Sequence, residues 1–149
     1  MHMAKDIYWH VKMGRPVVAN FDINREMFRN GAESFLCLEG EALTPSALVE
    51  FARGYFANHK FGEGKIAFYW DEAQTRLNSR DWRNNSEWNT FFQQHRKLGY
   101  DVYLVCQNHE MLDKQARAVV EYEVHHRKVN NVGLFGKVVT VLACLSSIS

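Results

Sequence analysis

Two adjacent acids, Asp71 and Glu72, follow the uninterrupted apolar run Ile66-Ala67-Phe68-Tyr69-Trp70. A run with no polar alternation predicts a parallel strand covered on both faces, and ligands of open parallel sheets bind beyond the carboxyl ends of their strands. The acids therefore fall where such sheets do chemistry. Phosphoryl transfer uses this pairing: the first carboxylate binds Mg²⁺ through water, and the second polarises the attacking water. An anionic phosphate needs its charge neutralised and its nucleophile aimed. A strand ending in a solvated acidic turn has the same residues, so the pair alone leaves both readings open.

Other residues that could do chemistry carry less. A phosphate-binding loop needs Gly-x4-Gly-Lys-Ser/Thr between a strand and a helix, so that backbone N–H groups, the lysine and the hydroxyl surround the phosphates and their metal. Gly62-Glu63-Gly64-Lys65 does not meet this pattern. The first glycine would have to be residue 59, which is His59, and Ile66 stands at the hydroxyl position, before a strand instead of after one. His125 and His126 are neighbours in an extended segment, and successive strand residues face opposite sides, so they do not share one ion. No His-Glu-x-x-His or Cys-x-x-Cys occurs. Trp82 and Trp88 flank Arg83 in a pattern that single-stranded nucleic acid could use by stacking, but core and loop packing accounts for them more simply, and nucleic acid is not an expected partner. Asp22, Asp71 and Glu72 together offer an alternative. Acids at the ends of neighbouring parallel strands hold divalent ions in Mg²⁺-dependent nucleases and phosphotransferases.

The elements that must position these residues alternate between helix and strand. The chain has 149 residues and a formal charge of +1, which suits a single α/β domain with no global pull toward nucleic acid or an acidic membrane. Its three cysteines, Cys37, Cys106 and Cys144, stand in apolar settings and are expected to be reduced core thiols of a cytoplasmic protein. The apolar stretch Val138 to Leu145 falls well short of a membrane span. Ala4, Ile7, Tyr8 and Val11 recur at helical spacing until Gly14 and Pro16, after which Val17 to Phe21 reads as a strand ending at Asp22. Ser34 to Leu38 is a weaker strand. Thr44-Pro45 opens a helix as N-cap and first-turn proline. After the strand at 66–70, Asn85 or Ser86 caps a helix through Leu98 that Gly99 ends before a strand from Asp101 to Cys106. Met111 to Val120 is helical, Tyr122 to Lys128 extended, and Asn130-Asn131-Val132-Gly133 turns into a last strand around 137–143.

Several segments, in order, resemble the N-terminal ATPase domain of the zonular occludens toxin family, whose relatives include the filamentous-phage assembly ATPases of the inner membrane. They are Gly14-Arg15-Pro16-Val17-Val18 leading to Asn20-Phe21-Asp22, then Asp71-Glu72-Ala73-Gln74 with Arg80 downstream, then His95 through Val102. The last runs from Gln107-Asn108 through Met111-Leu112-Asp113-Lys114-Gln115-Ala116-Arg117.

The resemblance implies a three-layer α/β sandwich with a mainly parallel sheet of the P-loop NTPase type, acting in phage or prophage assembly and export. It implies ATP and Mg²⁺ as cofactors, with Asp71 holding Mg²⁺ through water, Glu72 as general base and Gln107 orienting the water. Arg117, Arg127 and Arg96 are candidate arginine fingers across a subunit boundary, Arg117 being the one expected on the nucleotide; solvated helix-surface arginines are the plainer account of each. In the family the phosphate loop precedes the helix that leads to Gly14-Arg15-Pro16. Here that helix is the first element, so the expectation is a domain lacking its first strand and phosphate loop, with the reading frame continuing upstream. Such a chain is expected to bind ATP poorly and to expose strand edges that favour self-association. Homo-oligomers and phage assembly proteins are the implied partners, and the implied location is the cytoplasmic face of the bacterial inner membrane, through regions outside this chain. A non-catalytic assembly module remains the other reading.

Overall fold

In the computed structural model the described residues are 2–28, 32–77, 86–107, 109–112, 114–118, 122–124 and 144–146. They fall in two compact units, Met1–Arg117 and Ala118–Ser149. The first contains α1 (His2–Lys12), β1 (Val17–Ala19), β2 (Phe35–Cys37), α2 (Pro45–Asn58), β3 (Ile66–Trp70), α3 (Ser86–Gln94) and β4 (Tyr100–Leu104). A short helix, α4 (Lys114–Ala118), crosses the boundary. The second unit contains β5 (Tyr122–Val124) and β6 (Cys144–Ser146), paired antiparallel with Glu123 opposite Leu145.

The sheet of the first unit is entirely parallel, in the order β2-β1-β3-β4. Every residue of β3 is buried, as its unbroken apolar run predicts. Side chains alternate across a strand, so β1 and β3 supply two cores at once. Val17, Ala19, Ala67 and Tyr69 pack with Ile7 and Val11 of α1 on one face. On the other, Phe68 meets Trp88 and Phe91 of α3 and Tyr100 of β4, with ring centroids 6.1 to 6.5 Å apart. The Tyr100 hydroxyl donates to the Leu48 carbonyl of α2 at 2.7 Å. The result is three layers: α1, the sheet, and α2 with α3.

Local chemistry sets the element ends. The Thr44 hydroxyl accepts the Ala47 N–H at 3.1 Å and Pro45 occupies the first turn, which satisfies one orphan donor of α2 and fixes its entry. Gly99 is left-handed at φ +82° and closes the 3₁₀ turn His95–Leu98 before β4. That turn replaces the last helical turn expected at 95–98, because the tight 3₁₀ closure is how the chain reverses into β4. β1 is shorter than expected, ending at Ala19, because the Asn20 side chain takes over the pairing to β3, as detailed below. β4 also ends early, at Leu104, although the Val105 N–H still reaches the Trp70 carbonyl at 2.8 Å.

Beyond these, Tyr122–Val124 is extended as expected, while the second strand of that ribbon is Cys144–Ser146. The expected strand at 137–143 and the turn at 130–133 lie outside the described residues. Cys37 and Cys106 form no disulfide among the described residues. Among the described residues no helix is long and apolar enough to cross a membrane.

Candidate functional site

The carboxyl ends of β1, β3 and β4 lie side by side, and the chain leaving each is tied to its neighbour. β3 is the interior strand between β1 and β4, so Asp71 and Glu72 emerge from the middle of this edge. Asn20, one residue past β1, donates from Nδ2 to the Asp71 carbonyl at 3.0 Å and accepts the Asp71 N–H at Oδ1 at 2.7 Å. From the β4 side the Val105 carbonyl accepts the Ala73 N–H at 3.0 Å. The acid pair is thus held from both flanking strands.

Asp71 is partly buried, and its Oδ1 accepts the Glu72 N–H at 2.9 Å. Glu72 is exposed and adopts φ +51°, ψ +41°, the only non-glycine residue at positive φ among those described. For an L-residue this costs roughly 1–2 kcal/mol. Strain of this kind persists only where the surroundings over-determine it. Here the next residues do so: Ala73, Gln74 and Leu77 are buried, and the Glu72 carbonyl accepts both the Thr75 N–H (2.9 Å) and the Thr75 hydroxyl (2.8 Å). Gln74 Oε1 is buried without a hydrogen-bond partner among the described residues.

The other expected site residues distribute as follows. Gln107 is exposed and follows β4, at the same sheet edge as the acids. Arg117 lies on α4, half-buried, with its Nε buried and unpartnered among the described residues. Arg96 sits in the 3₁₀ turn that precedes β4, at the opposite end of the sheet from Asp71. Arg80, Trp82, Arg83, His125, His126 and Arg127 lie outside the described residues. Trp88 is core: it is 8% exposed and its ring lies 4.3 Å from that of Trp70. Gly62–Lys65 leads into β3, as a phosphate loop would not.

Asp22 does not join the acid pair. It is exposed, accepts the Ile23 N–H at 2.8 Å and pairs with Arg25 at 3.6 Å. Among the described residues no three His, Cys, Asp or Glu side chains come together to hold one ion. The three-carboxylate site of a nuclease or phosphotransferase is therefore not assembled from Asp22, Asp71 and Glu72. Cys37 also ends at this edge, but burial, then its hydrogen bond to Glu39, pushes its thiol up to about 11, which keeps it protonated and a poor nucleophile at neutral pH.

A second polar cluster lies under the sheet's α1 face. Arg15 donates to Asp101 at 2.5 Å and to His10 Nε2 at 3.1 Å, and His10 Nδ1 lies 3.5 Å from the Tyr69 hydroxyl. Burial, followed by the Arg15 charge, lowers the His10 pKa against the opposing pull of Asp6 and Asp101. Neutral His10 with a bare Nε2 is the form that accepts from Arg15. This cluster fastens α1 to β3 and β4.

Sequence reasoning missed Asn20 as a site residue. Its only local signal is a polar amide directly after three buried strand residues, because its partner is 51 positions away.

Fold and site together define a three-layer α/β domain with an acid pair at the carboxyl end of an interior parallel strand. The chain belongs to the zonular occludens toxin (Zot) family, whose model matches residues 3–148. It is similar to the Gene 1 protein of Enterobacteria phage I2-2, at 37% identity over 104 residues, covering 64% of this chain and 27% of that protein. The Gene 1 protein of Salmonella phage IKe matches at 35% over 81 residues, 49% of this chain and 21% of that protein. That of Escherichia phage If1 matches at 33% over 89 residues, covering 57% and 24% respectively. The chain thus spans about a quarter of the length of these phage relatives. A crystal structure of the N-terminal domain of zonular occludens toxin from Neisseria meningitidis superposes with a TM-score of 0.43 at 17% identity, over 78% of this chain and 61% of that one.

Proposed function

We propose that this chain carries the acid half of an ATPase site in a phage or prophage assembly protein. The observation that supports it most is the consecutive Asp71–Glu72 pair at the carboxyl end of the interior strand, clamped from both neighbours, with Gln107 leaving the next strand at the same edge.

Asp71 would hold Mg²⁺ brought with a nucleotide, and the ion would supply neutralisation of phosphate charge. The donor set suits it: a single carboxylate, Asp71, with water completing the shell, matches an ion that keeps several waters and takes one or two protein carboxylates. Asp71 offers that carboxylate while its Oδ1 also accepts the Glu72 N–H. Glu72, exposed just past the end of the strand, accepts the proton of an attacking water. Gln107 orients that water from the adjacent strand end, and Arg117 contributes positive charge toward the phosphates. The residues that cradle the phosphates are assigned to none of these 149 positions, which contain no Gly-x4-Gly-Lys-Ser/Thr. In this reading residues 1–149 form one ATPase domain that self-associates, meets phage assembly proteins and works at the cytoplasmic face of the inner membrane.

The test is ATP hydrolysis by the full reading frame that encodes this chain. Glu72→Gln is expected to lower kcat by roughly 10²–10⁴-fold, the usual contribution of a positioned general base. Wild-type turnover in both Glu72→Gln and Asp71→Ala would refute the assignment.

A further inference from the structure

We propose that Asn20 is a positioning residue for the acid pair: its carboxamide grips both backbone groups of Asp71 and thereby holds Glu72 in its left-handed conformation. The inference rests on the ATPase reading of that pair for its purpose, but the grip itself is independent of it.

Three observations converge. The first is the reciprocal bond, Nδ2 to the Asp71 carbonyl at 3.0 Å and Oδ1 from the Asp71 N–H at 2.7 Å. An Asn side chain carries the donor and acceptor of a peptide group, and here both are used on one residue. The second is where the grip falls. The Asn20 N–H still reaches the Tyr69 carbonyl at 3.3 Å, so backbone pairing between the strands ends at Asn20, and its side chain carries the connection one residue further along β3. Without it, the last β3-side anchor before the turn would be the β4 contacts alone, the Val105 N–H on the Trp70 carbonyl and the Ala73 N–H on the Val105 carbonyl. The third is Glu72 at φ +51°. A glutamate leaves that region readily unless the peptide planes on both sides are fixed. Asn20 fixes the Asp71 plane before it, and Val105 with the buried Ala73 fixes the one after.

The choice of amide matters. Asp at position 20 keeps an acceptor for the Asp71 N–H but sets a carboxylate against the Asp71 carbonyl and near its side chain. Ala removes both bonds. A merely structural role in closing the sheet would weaken the whole edge together, whereas a positioning role acts on residues 71–73 first.

The experiment compares wild type, Asn20→Ala and Asn20→Asp as ¹⁵N-labelled 149-residue chains, reading amide hydrogen exchange and backbone chemical shifts, with ATP turnover of Glu72→Gln in the full reading frame measured alongside. Asn20→Ala is expected to speed exchange at the Asp71 amide by roughly tenfold, the effect of losing one partly buried hydrogen bond, and to move the Glu72 shifts out of the left-handed range. The amides of Phe68 and Val102, in the middle of the sheet, keep their protection. Asn20→Asp is expected to retain Asp71 amide protection while still moving the Glu72 shifts, and it decides the matter if Asn20→Ala fails to fold. Unchanged exchange at Asp71 and unchanged Glu72 shifts in the folded variants would overturn the proposal, as would loss of protection spread evenly over β1 and β3. Wild-type ATP turnover in Glu72→Gln of the full reading frame would count against the ATPase reading and leave the grip to be decided by the exchange data.

Discussion

Replacing Gly99 by alanine should cost this fold far more than an ordinary turn substitution. Gly99 sits at φ +82°, where an L-residue is disfavoured by roughly 1–2 kcal/mol. A methyl added there would also lie 2.5 and 2.6 Å from the Phe56 ring and 3.1 Å from the Gly62 carbonyl. The ring yields only by shifting against Tyr55 and Phe61, whose centroids lie 5.1 and 5.0 Å away, and the carbonyl belongs to the backbone. Overpacking of this kind adds about 1–3 kcal/mol. The total, about 2–5 kcal/mol, is a large part of the roughly 5–15 kcal/mol that keeps a domain folded. Gly14 supplies the control. It too is left-handed, at φ +70°, but nothing stands within 4 Å of its added methyl. Gly14→Ala should therefore show the conformational cost alone. Urea unfolding of the two variants, followed by tryptophan fluorescence, reads the difference as a lower midpoint for Gly99→Ala. At a slope of about 1–3 kcal/mol per molar urea, the extra 1–3 kcal/mol separates the midpoints by roughly a molar unit. Equal midpoints would refute the steric half of the argument and leave only the backbone term.

Two further outcomes follow from the geometry. Glu72→Gly should be at least as stable as wild type, because glycine enters the left-handed region freely, and Glu72→Val less stable, because a β-branched residue is disfavoured there beyond an ordinary L-residue; thermal melts that place all three together would show that the residue is not held there. His10 has a folded pKa below its unfolded value of 6.5. Its contribution to stability is therefore present above that pH and is lost as the pH falls toward the folded value, since the unfolded chain takes up the proton first. The stability difference between wild type and His10→Gln should shrink as the pH falls from 7.5 through 6.5, and a difference independent of pH would refute it.

Much of this fold is written locally. The Thr44-Pro45 cap, the fully apolar strand 66–70 and the glycine stop at 99 each depend on neighbours a few residues away, and the structure has all three where the residues indicate. The placement of Asp71 and Glu72 follows from the same strand. What the sequence conceals is long-range or atypical of its residue type. The Arg15–Asp101 pair joins positions 86 apart and the Asn20 grip spans 51, so neither leaves a periodic trace. Glutamate is not a residue associated with positive φ, which is why the Glu72 turn has no local signature. Trp88, by contrast, packs as its residue pattern suggests: the helical face it shares with Phe91 and Phe92 turns it inward.

The all-parallel pairing also dictates when this chain can begin to fold. β1 pairs with β2 across 18 residues, Val17 opposite Phe35, but with β3 across 50, Val17 opposite Ala67. Two short strands alone are marginal in water, so the first stable sheet must wait for β3, and loop closure over that span is settled before its ladder is rewarded. Within residues 1 to 65, Val17, Val18 and Phe35 therefore lack the β3 pairing that completes their sheet. The strand that carries the acid pair is the one that ends this wait, and Asp71 and Glu72 are the next residues in the chain.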